Sequence, residues 1–328
     1  MSRPLEMDAP DRLVRPEAVE GLGLPAVIRR AAAALDRQRR ADGHWVFELE
    51  ADATIPADYA VLQHYLDRID DPLQARIGVY LRRIQLDAGG WPLFPGGPFD
   101  LSASVKAYLA LKAIGDPADA PHMRRARDKI LSAGGAERAN TFSRIQLALF
   151  GAIPWHGVPA MPVEIMLLPD RFVFSLWRVA YWSRTFIAPL VVLQALRPQA
   201  RNPRGVSVRE IFRDDPEAIR DWNPGPFRSP WGAVFKRLDA ILKRAEPHAR
   251  KRLRERAIIK ARRFVEERLN GTDGLGAIYP PMAYTMMMYD ALQVPADDPR
   301  VATAWAALDG LIVHREREAY CQPCVSPV

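Results

Sequence analysis

Apolar side chains recur at three- and four-residue steps along most of the chain, and no stretch alternates convincingly enough to predict a sheet, so an all-α fold is expected. Twenty-nine prolines cut this pattern into short helices, because proline lacks an N–H and clashes with the preceding turn. Helices are predicted over 25–40, 55–66, 74–85, 101–114, 121–132, 138–150, 172–196, 208–213, 230–244, 249–269, 281–292 and 299–310. Pro56 falls in a first helical turn with Asp58 close behind, where an acid suits the helix dipole, and Asp100 is placed to cap 101–114. Residues 1–20 read as a loosely docked polar leader.

One stretch of this pattern is duplicated. Residues 30–45 read RAAAALDRQRRADGHW and residues 76–91 read RIGVYLRRIQLDAGGW, 46 positions apart, the length of two helices with their turns. Gln38, Gly43 and Trp45 correspond to Gln85, Gly89 and Trp91. Glycine lets the helix end in a left-handed or tight conformation, tryptophan folds back on the helix before it, and the glutamine amide bonds backbone groups freed at the helix end. These six residues are therefore expected to be structural, stapling one helix pair to the next. Worn copies stand at 124–135, which keeps the double glycine, and at 260–276, where Leu269 and Gly276 occupy the Gln and Trp positions.

The repeat, R-x-x-x-(Y/A)-L-x-x-x-Q-x-x-x-G-x-W, resembles the QW motif of the squalene–hopene and oxidosqualene cyclases. The resemblance continues in order through ADATIPADYAVLQHYLDR (51–68), WPLFPGGPFDLSASVKAYLALKAIG (91–115), RANTFSRIQLALFGAIPW (138–155), PVEIMLLP (162–169), DGLGAIYPPM (273–282) and AYCQPCVSPV (319–328). It implies an α/α barrel of paired inner and outer helices over 45–310. Residues 1–44, the leader and first helix, would pack with a second barrel, and 311–328 would begin that barrel.

Composition adds limits. The net charge of +7 weakly favours an acidic surface such as anionic lipid or nucleic acid. The Lys- and Arg-dense run at 236–263 lacks the interleaved aromatics that nucleic-acid binding would want, so no nucleic-acid partner is expected. Helix 230–244 carries Trp231, Val234, Phe235, Leu238, Ile241 and Leu242 on one side and Lys236, Arg237, Lys243 and Arg244 on the other. Such a helix suits a membrane interface or a core edge with a solvated face. No apolar run is long enough to span a bilayer, no secretory signal is present, and the lone pair Cys321 and Cys324 reads as ordinary thiols in a cytoplasmic setting.

No G-x-S-x-G, H-E-x-x-H or phosphate-cradling loop is present, and the six histidines have no metal-ligand spacing, so hydrolase, kinase and metalloenzyme chemistry has no support and no metal is expected. A polyene cyclase needs a strong acid to protonate an alkene, then a dry cavity whose aromatic faces stabilise the migrating cation. In the family the acid is the central Asp of D-x-D-D, and this sequence contains none. The chain therefore looks like the N-terminal half of a cyclase, expected to be inactive alone, with the catalytic acid beyond residue 328.

By motif match, the resemblance places Asp58 where the family has a glutamate near the end of cyclisation. It places Phe142 and Trp182 on the cavity wall, and Ile278, Tyr279 and Pro280 in a cavity-shaping triplet whose middle residue is often glutamine. Val179 and Ile187 would line an entry channel. It implies proton-initiated cyclisation of squalene to hopene or hopanol, an isomerase chemistry without cofactor. The protein would sit peripherally on the cytoplasmic face of a membrane, with a homodimer left open. Two other readings stay open: a related cyclase of another polyene, and a non-catalytic helical-repeat binding module.

Overall fold

A computed structural model describes residues 23–45, 47–172, 175–223, 229–248, 250–271 and 273–324. The expected leader at 1–20 and the final S-P-V lie outside the described residues. Eleven α-helices occur among them: α1 (Leu24–Gln38), α2 (Thr54–Leu66), α3 (Asp71–Arg83), α4 (Leu101–Ile114), α5 (Pro121–Ser132), α6 (Thr141–Leu149), α7 (Tyr181–Leu196), α8 (Pro230–Ala245), α9 (Lys251–Glu266), α10 (Tyr279–Ala291) and α11 (Pro299–Asp309).

Apart from α1 and α8, which bury no residue, the helices sort by burial pattern into two layers. In α2, α4 and α10 most side chains are buried, on all sides of the helix rather than along one stripe, so these helices sit inside. The outer helices carry a single apolar stripe at three- and four-residue steps. Met123, Ala126 and Ile130 form it on α5, and Ala257, Ala261, Phe264 and Val265 on α9. Each fully buried Ile or Met on such a stripe contributes about 1.5–3 kcal/mol, which is what holds the outer layer on the inner one.

In the inner layer α4 packs on α2, α2 on α10, α10 on α7, and α6 beside α4. An edge-on contact between Phe142 of α6 and Phe186 of α7, with ring centroids 5.3 Å apart, joins the remaining pair. Helices α3, α5, α9 and α11 cover the outside. This is the all-α barrel of paired helices that the repeat implied.

Several predicted elements are corrected. Two short antiparallel ladders, β1 (Trp91–Pro92) with β2 (Phe99–Asp100) and β3 (Ile312–His314) with β4 (Ala319–Cys321), replace the expected absence of strands. Strands of two or three residues are too short for alternation to register. The predicted helix over 172–196 starts only at Tyr181; upstream, residues 176–178 make one 3₁₀ turn whose start is held by the Ser175 hydroxyl accepting from the Trp177 N–H. The helix over 208–213 is a single 3₁₀ turn at Arg209–Ile211. Asn140 accepts from the Ser143 N–H, so α6 begins at 141 rather than 138.

The repeat turns differ from expectation in one respect. Gly89 does not end α3; it lies in the turn beyond, at φ +85°, where Leu86 N–H donates to Gly90 O and Gly89 N–H to Leu86 O. The first copy has the same two bonds, Arg40 N–H to His44 O and Gly43 N–H to Arg40 O.

Candidate functional site

The five inner helices α2, α4, α6, α7 and α10 all place their N-terminal ends around one open pocket of about 510 Å³. The reason lies in the connectivity: outer helices α3, α5 and α9, and between α6 and α7 a segment of 3₁₀ turns, carry the chain back, so successive inner helices run the same way. Side-chain oxygens accept from the first N–H groups at three of these ends, from the N-cap itself in α4 and α6 and from the residue before it in α2. Asp52 accepts from Thr54 N–H at 2.7 Å, Asp100 from Ala103 N–H at 2.8 Å, and Asn140 from Ser143 N–H at 3.0 Å.

Asp58, Phe142, Trp182, Ile187, Ile278 and Pro280 all line this pocket, although they come from four helices and one N-cap spread over 220 residues of sequence. Tyr279 lies in an adjoining recess of about 30 Å³ that shares Asp58, Lys106, Phe142, Pro280 and Tyr284 with it. Val179 is not brought into the lining; it precedes α7 and its carbonyl accepts from Arg184 Nε at 2.9 Å. Ile187 stands on the same wall as Trp182 and Phe186.

Asp58 is the polar focus. It is the fifth residue of α2, so it faces the pocket instead of capping the helix. Lys106 Nζ of α4 donates to its Oδ2 at 2.6 Å and Gln146 Nε2 of α6 to its Oδ1 at 2.8 Å. The side chains of Lys106 and Asp58 are only 11% and 18% exposed. Removing one member of so enclosed a pair would strand the other charge, at a cost of about 3–5 kcal/mol. Burial pushes the Asp58 carboxyl above the usual carboxylate range, while Lys106 and Gln146 pull it back.

Lys106, Gln146 and Tyr284 were not singled out by the sequence. The available signal was a lysine in the middle of α4 with apolar side chains before and after it, which must find an acid if it is buried. Burial raises the Tyr279 phenol further above its ordinary range, with Asp58 adding to the effect, and its hydroxyl has no hydrogen-bond partner among the described residues.

The electrostatics favour a cation. The lining holds Asp52, Asp58 and Asp100 against one ammonium, Lys106, and presents Phe142, Trp182, Phe186 and Tyr284. An aromatic face contributes about 0.5–2 kcal/mol to a desolvated cation. The pocket is nevertheless open: Trp182 is 63% exposed and Phe142 44%. Leu93 on the rim and Phe94 beside it are exposed too.

The repeat residues lie apart from this pocket. Trp91 is fully buried and donates from Nε1 to Leu81 O at 2.7 Å, and Gln85 Nε2 donates to His122 O at 2.9 Å, joining the α3 turn to α5. Trp45 Nε1 makes the equivalent bond to Leu35 O at 2.8 Å, and Gln38 is exposed at the end of α1. Both cysteines are free, Cys321 buried and its thiol pushed well up by burial.

Comparison with known proteins gives a consistent picture. The family model described as squalene-hopene cyclase N-terminal domain matches residues 28–317. The squalene-hopene cyclase of Schizosaccharomyces japonicus is 53% identical over 306 residues, 93% of this chain and 47% of that protein. That of Zymomonas mobilis is 53% identical over 309 residues, 92% of this chain and 46% of its own length. The dammaradiene synthase of Dryopteris crassirhizoma is 29% identical over 326 residues, 97% of this chain and 47% of that enzyme. The chain spans about half the length of the curated relatives it matches.

Proposed function

The chain belongs to the squalene-hopene cyclase N-terminal domain family, and from that premise we propose that it forms one helical domain of an enzyme that cyclises squalene to a hopanoid. The observation that carries this is the convergence of Asp58, Phe142, Trp182, Ile278 and Pro280 on one aromatic, net-acidic pocket. Phe142, Trp182, Phe186 and Tyr284 stabilise positive charge without offering a nucleophile. Asp58, held by Lys106 and Gln146, sets a fixed negative charge at one wall.

A carbocation survives only where water is excluded. The open mouth therefore calls for a cover, and a second helical domain is the proposed one, with residues 45–310 as the first barrel and α1 and 311–328 contributing to the second. The acid that protonates the alkene belongs to that second domain, since these 328 residues contain no D-x-D-D.

Helix α8 supports a site on a membrane surface. It has no buried residue, and Trp231, Val234, Phe235 and Ile241 all face outward between basic side chains. No helix among the described residues is long and apolar enough to cross a membrane. The proposed placement is peripheral, on the cytoplasmic face, where a lipid-soluble polyene would be drawn from the bilayer.

The test is a chimera joining this chain to the C-terminal half of the Zymomonas mobilis relative. It is expected to convert squalene to hopene in detergent, whereas this chain alone yields none. Hopene from the chain alone, or a folded chimera without cyclised product, overturns the reading.

A further inference from the structure

A second cavity, of about 210 Å³, lies between the C-terminal ends of α7 and α8 and the turns at 155–163. Its polar wall is made by Gln194, Arg197, Lys243, Glu246 and Arg254. Gln194 is 8% exposed; its Oε1 accepts from Met161 N–H at 2.8 Å, and its Nε2 has no partner among the described residues. A buried amide donor left without an acceptor is costly, and in a native fold it calls for a ligand or an ordered water.

The surrounding charges hold donors in reserve. Arg197 uses Nη2 on Glu246 at 2.5 Å, and Arg254 uses Nε on Glu164 at 3.4 Å and Nη2 on the Glu246 carbonyl at 3.1 Å. Each guanidinium has five N–H donors, so both can take a further oxygen. Lys243 is bound by Asp239 at 2.7 Å and by the His156 carbonyl at 2.8 Å. Arg197, Lys243 and Arg254 are thus balanced by Glu246, Glu164 and Asp239. A lone anion would upset that balance and an apolar ligand would leave Gln194 unsatisfied. A zwitterion with an acceptor-rich phosphate and a donor-rich ammonium meets both conditions.

We propose that this cavity binds a phosphate ester bearing a primary ammonium, with the phosphate on Gln194, Arg197 and Arg254 and the ammonium on Glu246. The position at the end of α8 makes an aminophospholipid headgroup the natural source. That source rests on the membrane placement proposed above; the site itself does not.

Calorimetry on the folded chain separates the two. Glycerophosphoethanolamine is expected to bind saturably, with glycerophosphocholine, glycerol phosphate and inorganic phosphate each weaker by roughly tenfold or more, the loss expected when one charge-supported bond is missing. Gln194→Glu keeps the acceptor for Met161 N–H but removes the donor, and should abolish binding. Arg254→Gln, at a more exposed position, should weaken it roughly tenfold while leaving the melting temperature near wild type. No saturable binding of the ammonium ester, or equal affinity for inorganic phosphate, overturns the site. Flotation with phosphatidylcholine vesicles, with and without phosphatidylethanolamine, then tests the source. A gain from phosphatidylethanolamine that Arg254→Gln abolishes supports the lipid; soluble binding without that gain overturns it. If Trp231→Ala with Phe235→Ala still floats, α8 is not the membrane anchor and the calorimetric result still decides the cavity.

Discussion

The two copies of the repeat share their local bonds and differ in almost everything around them. In each, the tryptophan Nε1 donates to a carbonyl ten residues upstream, Leu35 O for Trp45 and Leu81 O for Trp91. Each also closes its turn with the same pair of backbone bonds around a glycine at positive φ. Yet α1 has no buried residue, whereas α3 buries Ile77, Tyr80 and Leu81 and Trp91 is wholly enclosed. The second copy is locked to the next two helices: Trp91 N–H donates to the Ser104 hydroxyl of α4 and Gln85 reaches α5. The segment after the first copy is tied instead to the far end of the chain, where Gln322 takes the Leu49 N–H and Arg315 pairs with Glu50 at 3.0 Å. The motif therefore builds its own turn, but its stabilising power comes from the neighbour that the turn is pressed against.

The sharpest way to break that comparison is to remove both tryptophans. Trp91→Ala should cost about 3–5 kcal/mol, because it opens a cavity between layers with no solvent to fill it. Trp45→Ala should cost about 1 kcal/mol, the worth of one half-exposed hydrogen bond. Urea denaturation of the two variants measures both. Equal losses would mean that the local bonds, not the surroundings, carry the stability.

The glycines give a second contrast. Both are left-handed, Gly43 at φ +97° and Gly89 at φ +85°, so alanine at either is strained by about 1–3 kcal/mol. At Gly89 a Cβ would also meet Arg125 O at 2.4 Å, backbone that cannot swing aside, whereas at Gly43 nothing lies within 4 Å. Gly89→Ala should therefore exceed Gly43→Ala by about 1–3 kcal/mol in the same assay.

How much of this was legible depends on where the determining contact lies. Helices 101–114 and 121–132 match their predicted bounds residue for residue, because their punctuation is local: Asp100 and Gly115 bracket one, and Pro121 opens the other. The stretch 175–180 falls in a run apolar enough to suggest helix, but one hydroxyl and a tight turn decide otherwise. In the pocket, the family resemblance named Asp58 but not what holds it. Lys106 and Gln146 lie 48 and 88 residues away, and only the closed ring of inner helices makes them neighbours.

The smallest effect is also the most selective. Gln85 Nε2 donates to the His122 carbonyl, which lies in the first turn of α5. That carbonyl can still serve the helix, so Gln85→Ala leaves no buried orphan and should cost about 1 kcal/mol. Gln38 ends α1 in solvent, and its replacement by alanine should stay within about 0.5 kcal/mol of wild type. If α1 acquires a neighbour when a second helical domain is joined on, the cost of Gln38→Ala should rise toward that of Gln85→Ala in the joined protein. A cost that stays flat there would show that the first glutamine has no stapling role, and the likeness between the two copies would then end at the turn.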